Sequence, residues 1–181
     1  MRVTVFGSAR IPAGSPDYED AKRLGQRLAD RGDVIVSGGY GGLMEAASRG
    51  AHEAGGRVIG VTVQPWIDRL SPNRYLSEEI SARTLFERLE TLIESDALIA
   101  LPGGAGTLGE VALAWNLRQM GLMSPKPVIV VGQAWKRMLD AFRANLVVDE
   151  RDIALLRAVD SVDEAVAALE DSAHVRADWY G

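Results

Sequence analysis

The chain of 181 residues has no cysteine, only two histidines and only three lysines. Without cysteine there are no disulfides, no thiolate nucleophile and no iron–sulfur cluster. His52 and His174 stand at no metal-ligand spacing. Lys22, Lys126 and Lys136 sit in no setting that would activate a Schiff-base lysine. No apolar run approaches the roughly 18 residues of a membrane span. The net charge of −5 runs against nucleic-acid binding, which calls for a basic face. Met1 leads straight into an apolar run with no signal-peptide pattern, so the cytoplasm is the default expectation. What is present is ordinary globular composition, 47% hydrophobic and 25% charged, with 19 glycines. That length and composition predict one domain over residues 1–181, with 171–181 as a tail.

Short aliphatic runs at Val3–Phe6, Val34–Val36, Val58–Val63, Ala97–Leu101 and Pro127–Val131 read as strands buried on both faces of a parallel sheet. Helical patterns lie between and after them, near Asp17–Arg31, Gly42–Ala54, Arg83–Ser95, Thr107–Met120, Trp135–Asn145 and Asp163–Glu170. Pro16-Asp17 and Ser161-Val162-Asp163-Glu164 have the chemistry of helix starts. Alternating strand and helix predict an α/β fold: a Rossmann-like, doubly wound parallel sheet between two helical layers. Such folds favour the order 3-2-1-4-5, with the ligand crevice beyond the carboxyl ends of the first and fourth strands.

The loops expected at that edge are rich in small residues: Gly7-Ser8, Ser37-Gly38-Gly39-Tyr40-Gly41-Gly42, and Pro102-Gly103-Gly104-Ala105-Gly106-Thr107. A strand that empties through glycines into a helix N-terminus makes an anion site, because unpaired N–H groups and the helix dipole both favour negative charge. The third loop contains G-x-G-x-x-G, but the next strand ends without the acid a dinucleotide site would need. No P-loop motif is present. Glu110 puts a carboxylate close to this anion site. Its spacing from Thr107 also fits a capping box, so that position has both a structural and a chemical reading. Arg83, Glu87 and Arg88 lie on the helix before the fourth strand, within side-chain reach of the crevice. Glu45 opens the helix after the second loop as a dipole-matching acid. Trp66 and Trp115 are either core residues or an aromatic wall.

With these residues assembled, the chain resembles the LONELY GUY (LOG) family, formerly called lysine-decarboxylase-like. Ser37–Met44 looks like its glycine loop, Thr84-Leu85-Phe86-Glu87-Arg88 is similar to its Thr-Met-His-Glu-Arg segment, and Pro102–Glu110 matches its P-G-G-x-G-T-x-x-E signature. The resemblance implies a homodimeric Rossmann-like fold that cleaves nucleoside 5′-monophosphates, such as AMP or a cytokinin nucleotide, to free base and ribose 5-phosphate. It gives Arg88 and Glu110 the catalytic roles. The phosphate is expected on Ser8, Gly39, Gly103, Gly104, Ala105, Gly106 and Thr107, with no metal or redox cofactor called for. The apolar faces of the helices after Gly42 and Thr107 are candidate dimer surfaces. The chain departs from the family pattern at Leu89, where the family has Lys, at Gly109 and Leu113, where many members have Glu, and at Glu45, where plant members have Gly. The stretch from Arg88 to Asp96 is one residue short, which would turn Arg88 by about 100° on its helix. These departures resemble a neighbouring branch, the molybdenum-cofactor carriers, which bind a phosphorylated pterin without hydrolysing it.

Overall fold

A computed structural model describes residues 1–64 and 70–177, the last six of these by backbone alone. The elements run β1 (Arg2–Phe6), α1 (Pro16–Asp30), β2 (Val34–Ser37), α2 (Leu43–Glu53), β3 (Val58–Val63), β4 (Glu78–Ala82) and α3 (Leu85–Ile93). They continue with β5 (Ala97–Ala100), α4 (Ala105–Gln119), β6 (Val128–Val131), α5 (Gln133–Asn145), α6 (Glu150–Ile153), β7 (Arg157–Val159) and α7 (Val162–Ala177). The strands form one parallel sheet in the order β4-β3-β2-β1-β5-β6-β7. Its middle five strands are those expected from the sequence, in the expected order. The chain reverses direction across the sheet between β1 and β5, where Val3 to Phe6 pair with Ala97 to Ala100.

Alternation along each strand sends side chains to two separate cores. Val3, Val5, Ile35, Ile99, Ile129 and Val131 face the layer of α1, α2 and α7. Phe6, Val36, Ile59, Val61, Leu98 and Val130 face α3, α4 and α5. Both faces of the sheet are therefore covered, which is why β1, β2, β3, β5 and β6 read as largely apolar runs, with Thr4, Ser37 and Thr62 buried among them. β4 is different. It is an edge strand of sequence Glu-Glu-Ile-Ser-Ala, mostly exposed, and exposed edges favour charge. It has no apolar run to announce it, and it was not expected. β7 is only three residues long at the other edge.

Helix starts follow the capping rules. The Ser15 side chain accepts from Tyr18 N–H, with Pro16 in the first turn of α1. Ser161 Oγ accepts from Glu164 N–H, and the Glu164 carboxylate accepts from Asp160 N–H. α7 runs to Ala177, further than the pattern ending at Glu170. α1 and α2 lie so close that Cβ atoms on Gly25 and Gly50 would strike backbone of the opposite helix.

Candidate active site

The three glycine loops converge at the carboxyl edge of the sheet. Ser8 N–H donates to the Pro102 carbonyl (3.1 Å), and the Ser8 carbonyl accepts from Leu43 N–H (2.9 Å). The loop after β1 is thus tied to both of the others. Gly42 makes that closeness possible: its φ is +65°, and a Cβ there would collide with the Ser8 carbonyl and Ala9.

Two helices begin in these loops, and their N-termini differ. At α2 the Leu43 N–H is taken by the Ser8 carbonyl, and Glu45 puts negative charge in the first turn. The protein itself thus answers part of that end. At α4 the N-cap is Gly104, no side chain caps it, and no acid lies in the first turn. Gly103 to Gly106 are exposed, and Cβ atoms on Gly104 or Gly106 would meet nothing within 4 Å. The first intrahelical bond is Leu108 N–H to the Gly104 carbonyl, so the N–H groups of Ala105, Gly106 and Thr107 precede any intrahelical partner. Among the expected anion contacts, then, Gly103 to Gly106 form an open cradle, with half-buried Ser8 beside it. The Thr107 side chain is buried against Gly103, so Thr107 offers its N–H to the cradle. Gly39 needs correction. Its N–H donates to Ser37 Oγ (3.2 Å) and its carbonyl accepts from Asn73 N–H (2.8 Å). Both polar groups are committed, and its φ of +77° explains the glycine.

The reading of Thr107 and Glu110 as a capping box is also corrected. The cap lies three residues earlier, at Gly104, and Glu110 points elsewhere. Its Oε1 lies 3.4 Å from Arg88 Nη1. Arg88 comes from the second turn of α3 and is only 4% exposed. Its Nε donates to the Val61 carbonyl (2.8 Å). Val61 lies just beyond the end of the β2–β3 pairing, which stops at Ser37 and Gly60, so the arginine takes a carbonyl the sheet leaves over. Gly38 makes room for it, since a Cβ there would overlap the guanidinium. The shortened Arg88–Asp96 spacing therefore does not turn Arg88 away from the crevice. Burial pushes the Glu110 carboxyl up to about 7, against the opposing pull of Arg88. A carboxyl poised near neutrality can exchange a proton at working pH, and such groups concentrate at reactive sites.

The other candidates take structural places. Thr84 caps α3 by accepting from Glu87 N–H, and the Glu87 carboxylate returns to Arg83, which is exposed. Trp115 stacks on Phe142 and donates to the Asp152 carbonyl, so it is a packing residue. Trp66 lies outside the described residues. His52 packs its ring against Tyr75. Among the described residues no group of three or more His, Cys, Asp or Glu is placed to hold a metal, and no helix is long and apolar enough to cross a membrane. The apolar face of α2 is consumed by α1 and the sheet, so it offers no pairing surface. Leu85, Phe86, Met120 and Leu122, around α3 and the end of α4, are exposed. Sequence reasoning passed over Gly38 as the space for Arg88. Tyr40 and Asn73 also border the site and carry no periodic signal. The Gly-Gly-Tyr run in the second loop was the one available hint.

Comparison with known proteins agrees with this geometry. Residues 44–169 match the family model described as "possible lysine decarboxylase". A cytokinin riboside 5′-monophosphate phosphoribohydrolase of Mycobacterium tuberculosis is 31% identical over 175 residues, 91% of each chain. A probable cytokinin riboside 5′-monophosphate phosphoribohydrolase of rice, Oryza sativa subsp. japonica, is 42% identical over 123 residues, 61% of this chain and 46% of the rice protein. The chain thus spans about half the length of the plant relatives it matches. Among solved structures, the molybdenum cofactor binding protein of Rippkaea orientalis superposes with a TM-score of 0.74 at 26% identity, covering 94% of this chain and 95% of that one. The molybdenum cofactor carrier protein of Chlamydomonas reinhardtii gives 0.72 at 28% identity, covering 94% and 96%. The matched span, the open glycine cradle and the Arg88–Glu110 pair agree, and the chain belongs to the LOG family, the group whose model is described as possible lysine decarboxylase.

Proposed function

We propose that this protein hydrolyses the N-glycosidic bond of a nucleoside 5′-monophosphate, AMP or a related nucleotide such as a cytokinin riboside monophosphate, to free base and ribose 5-phosphate. The observation that carries this reading is Glu110: a carboxyl held near neutrality by burial, beside Arg88, behind an open helix N-terminus. The 5′-phosphate would rest on the N–H groups of Gly103 to Thr107, with the hydroxyl of Ser8, whose N–H is given to the Pro102 carbonyl, at its side. Gly39 is left out because its N–H is bonded to Ser37. Ala105 and Glu110 are five residues apart on α4, a rise of about 7–8 Å, the scale of a ribose ring with its 5′-phosphate. That scale supports a reading in which Glu110 stands on the anomeric side.

As the bond from the anomeric carbon to the base nitrogen breaks, its electron pair leaves with the base and positive charge builds on the ribose. The Glu110 carboxylate stabilises that charge and takes a proton from the attacking water as the water oxygen bonds to the anomeric carbon; the departing base nitrogen takes up a proton in turn, so that one water is divided between ribose 5-phosphate and free base. Arg88 fixes the carboxylate in place and lends positive charge to a site for an anionic substrate. The names of the mycobacterial and plant relatives support the reaction class. The reading sets the enzyme in the cytoplasm as a homodimer that meets through the exposed Leu85, Phe86, Met120 and Leu122; a monomer by light scattering would remove the dimer.

A second reading has its own support in the structural similarity to molybdenum-cofactor proteins: a carrier that binds a phosphorylated pterin in the same cradle. Incubation with AMP, other monophosphates and isopentenyladenosine monophosphate, with chromatography for free base, separates the two. Base release supports the hydrolase. A fluorescent pterin that co-purifies, with no monophosphate cleaved, supports the carrier.

A further inference from the structure

The buried arginine needs more than its own helix to hold it, and Tyr40 in the second glycine loop and Asn73 beyond β3 are placed to do so. β3 continues past β2 as Val61, Thr62 and Val63. Backbone groups two residues apart on a strand face the same side, so the Val61 carbonyl and the Val63 N–H both point to where β2 has ended. Arg88 Nε takes the first at 2.8 Å, and the phenolic oxygen of Tyr40 accepts from the second at 3.0 Å. Tyr40 is buried, and the Arg88 guanidinium carbon lies 5.9 Å from its ring centroid, within cation–π range. Tyr40 in turn sits on a loop that Asn73 pins from above. Asn73 N–H donates to the Gly39 carbonyl (2.8 Å) and Asn73 Nδ2 to the Tyr40 carbonyl (3.1 Å). Asn73 Oδ1 accepts from Tyr75 N–H (3.1 Å), which fixes the amide's orientation.

We infer that Tyr40 and Asn73 are positioning residues for Arg88: Asn73 locks the second glycine loop, and Tyr40, so locked, continues the edge left by β2 and holds the guanidinium against β3, turned toward Glu110. This rests on the reading of Arg88 and Glu110 as the reactive pair. The inference concerns their geometry, so it can be read without turnover. If Tyr40 lets go, Arg88 draws back from Glu110, and the carboxyl loses the positive charge that opposes its burial. Its titration midpoint then moves up from its value in the parent.

The test is carboxyl NMR of the full chain with 13C-labelled glutamate, alongside AMP turnover, for the parent, Tyr40→Leu, Tyr40→Phe and Asn73→Ala. Tyr40→Leu is expected to raise the Glu110 midpoint by about half a unit to one unit. It should lower kcat roughly tenfold with KM little changed. Tyr40→Phe keeps the ring over Arg88 but loses the acceptor for Val63 N–H, so it should fall between Tyr40→Leu and the parent in both, and Asn73→Ala should shift both the same way by less. An unmoved Glu110 midpoint in folded Tyr40→Leu overturns the inference. Should that variant fail to fold, an unmoved midpoint in Asn73→Ala does the same. A parent that cleaves no nucleotide sinks the proposed reaction, while the titration still decides the positioning role.

Discussion

Two helices of this protein start from glycine-rich loops at the same sheet edge, yet one end is far more open than the other. At α2 the glycines serve packing: Gly42 brings the loop against Ser8, and the Ser8 carbonyl takes the Leu43 N–H. Glu45 then answers the helix dipole from within. At α4 the glycines are exposed, a Cβ on Gly104 or Gly106 would touch nothing, and the first turn has no acid. Glycine in a sequence marks either a close approach or an open approach, and the two look alike until the neighbours are known. The carboxyl we propose to react stands on α4, and the loop leading into α2 supplies Gly38 as the space for Arg88.

The comparison breaks most sharply at Glu110. Glu110→Gln keeps the size of the side chain and removes the ionisable group. AMP turnover should fall by about 10²–10⁴-fold while the circular dichroism spectrum holds. Loss of fold in place of loss of rate would make Glu110 a structural member of α4. Arg88→Lys should cost less, about tenfold to a hundredfold in kcat/KM, because a lysine carries charge but cannot reproduce both the Val61 bond and the approach to Glu110.

The glycines themselves sharpen the contrast between the two helix starts. Gly42→Ala forces a side chain onto a positive φ and into the Ser8 carbonyl, a loss of about 2–4 kcal/mol in urea unfolding. Gly106→Ala meets no neighbour and sits in a helical turn, where alanine gains up to about 1 kcal/mol. That variant should keep or raise Tm while weakening AMP binding by crowding the cradle. Equal losses of stability from both would erase the difference between the two ends. The smallest effect is expected at Glu45. Glu45→Gln should cost about 0.3–1 kcal/mol through the helix dipole and leave turnover within about twofold; a larger rate effect would bring the α2 end into the site.

Much of this was legible in the sequence for a physical reason. Strands covered on both faces are mostly apolar, so β1, β2, β3, β5 and β6 declared themselves, while their order came from the fold class and not from the residues. β4 did not, because an exposed edge strand is free to be Glu-Glu-Ile-Ser-Ala. In the candidate site, Pro102 to Glu110 was readable as a cradle with a carboxylate beside it. Whether Glu110 caps or reacts was not, since Thr-x-x-Glu serves either end and only the location of the cap, at Gly104, separates them. Arg88 looked turned away by its spacing until the contacts of its side chain were known. Gly39 could not be told from a phosphate donor without sight of Ser37 and Asn73.

The central claim is that the buried carboxyl of Glu110, at the open end of α4, performs the chemistry. It is tested most directly by the pH dependence of kcat/KM for adenine release from AMP, which reports groups of the free enzyme, in the parent and in Glu110→Gln. The reacting form is the carboxylate, and burial has raised its midpoint to about 7. That ratio should therefore be low near pH 5, rise through about 7 and level off by about pH 9, and the variant should lose both the rate and that rise. A flat profile in the parent, or the same profile in the variant, would contradict the claim.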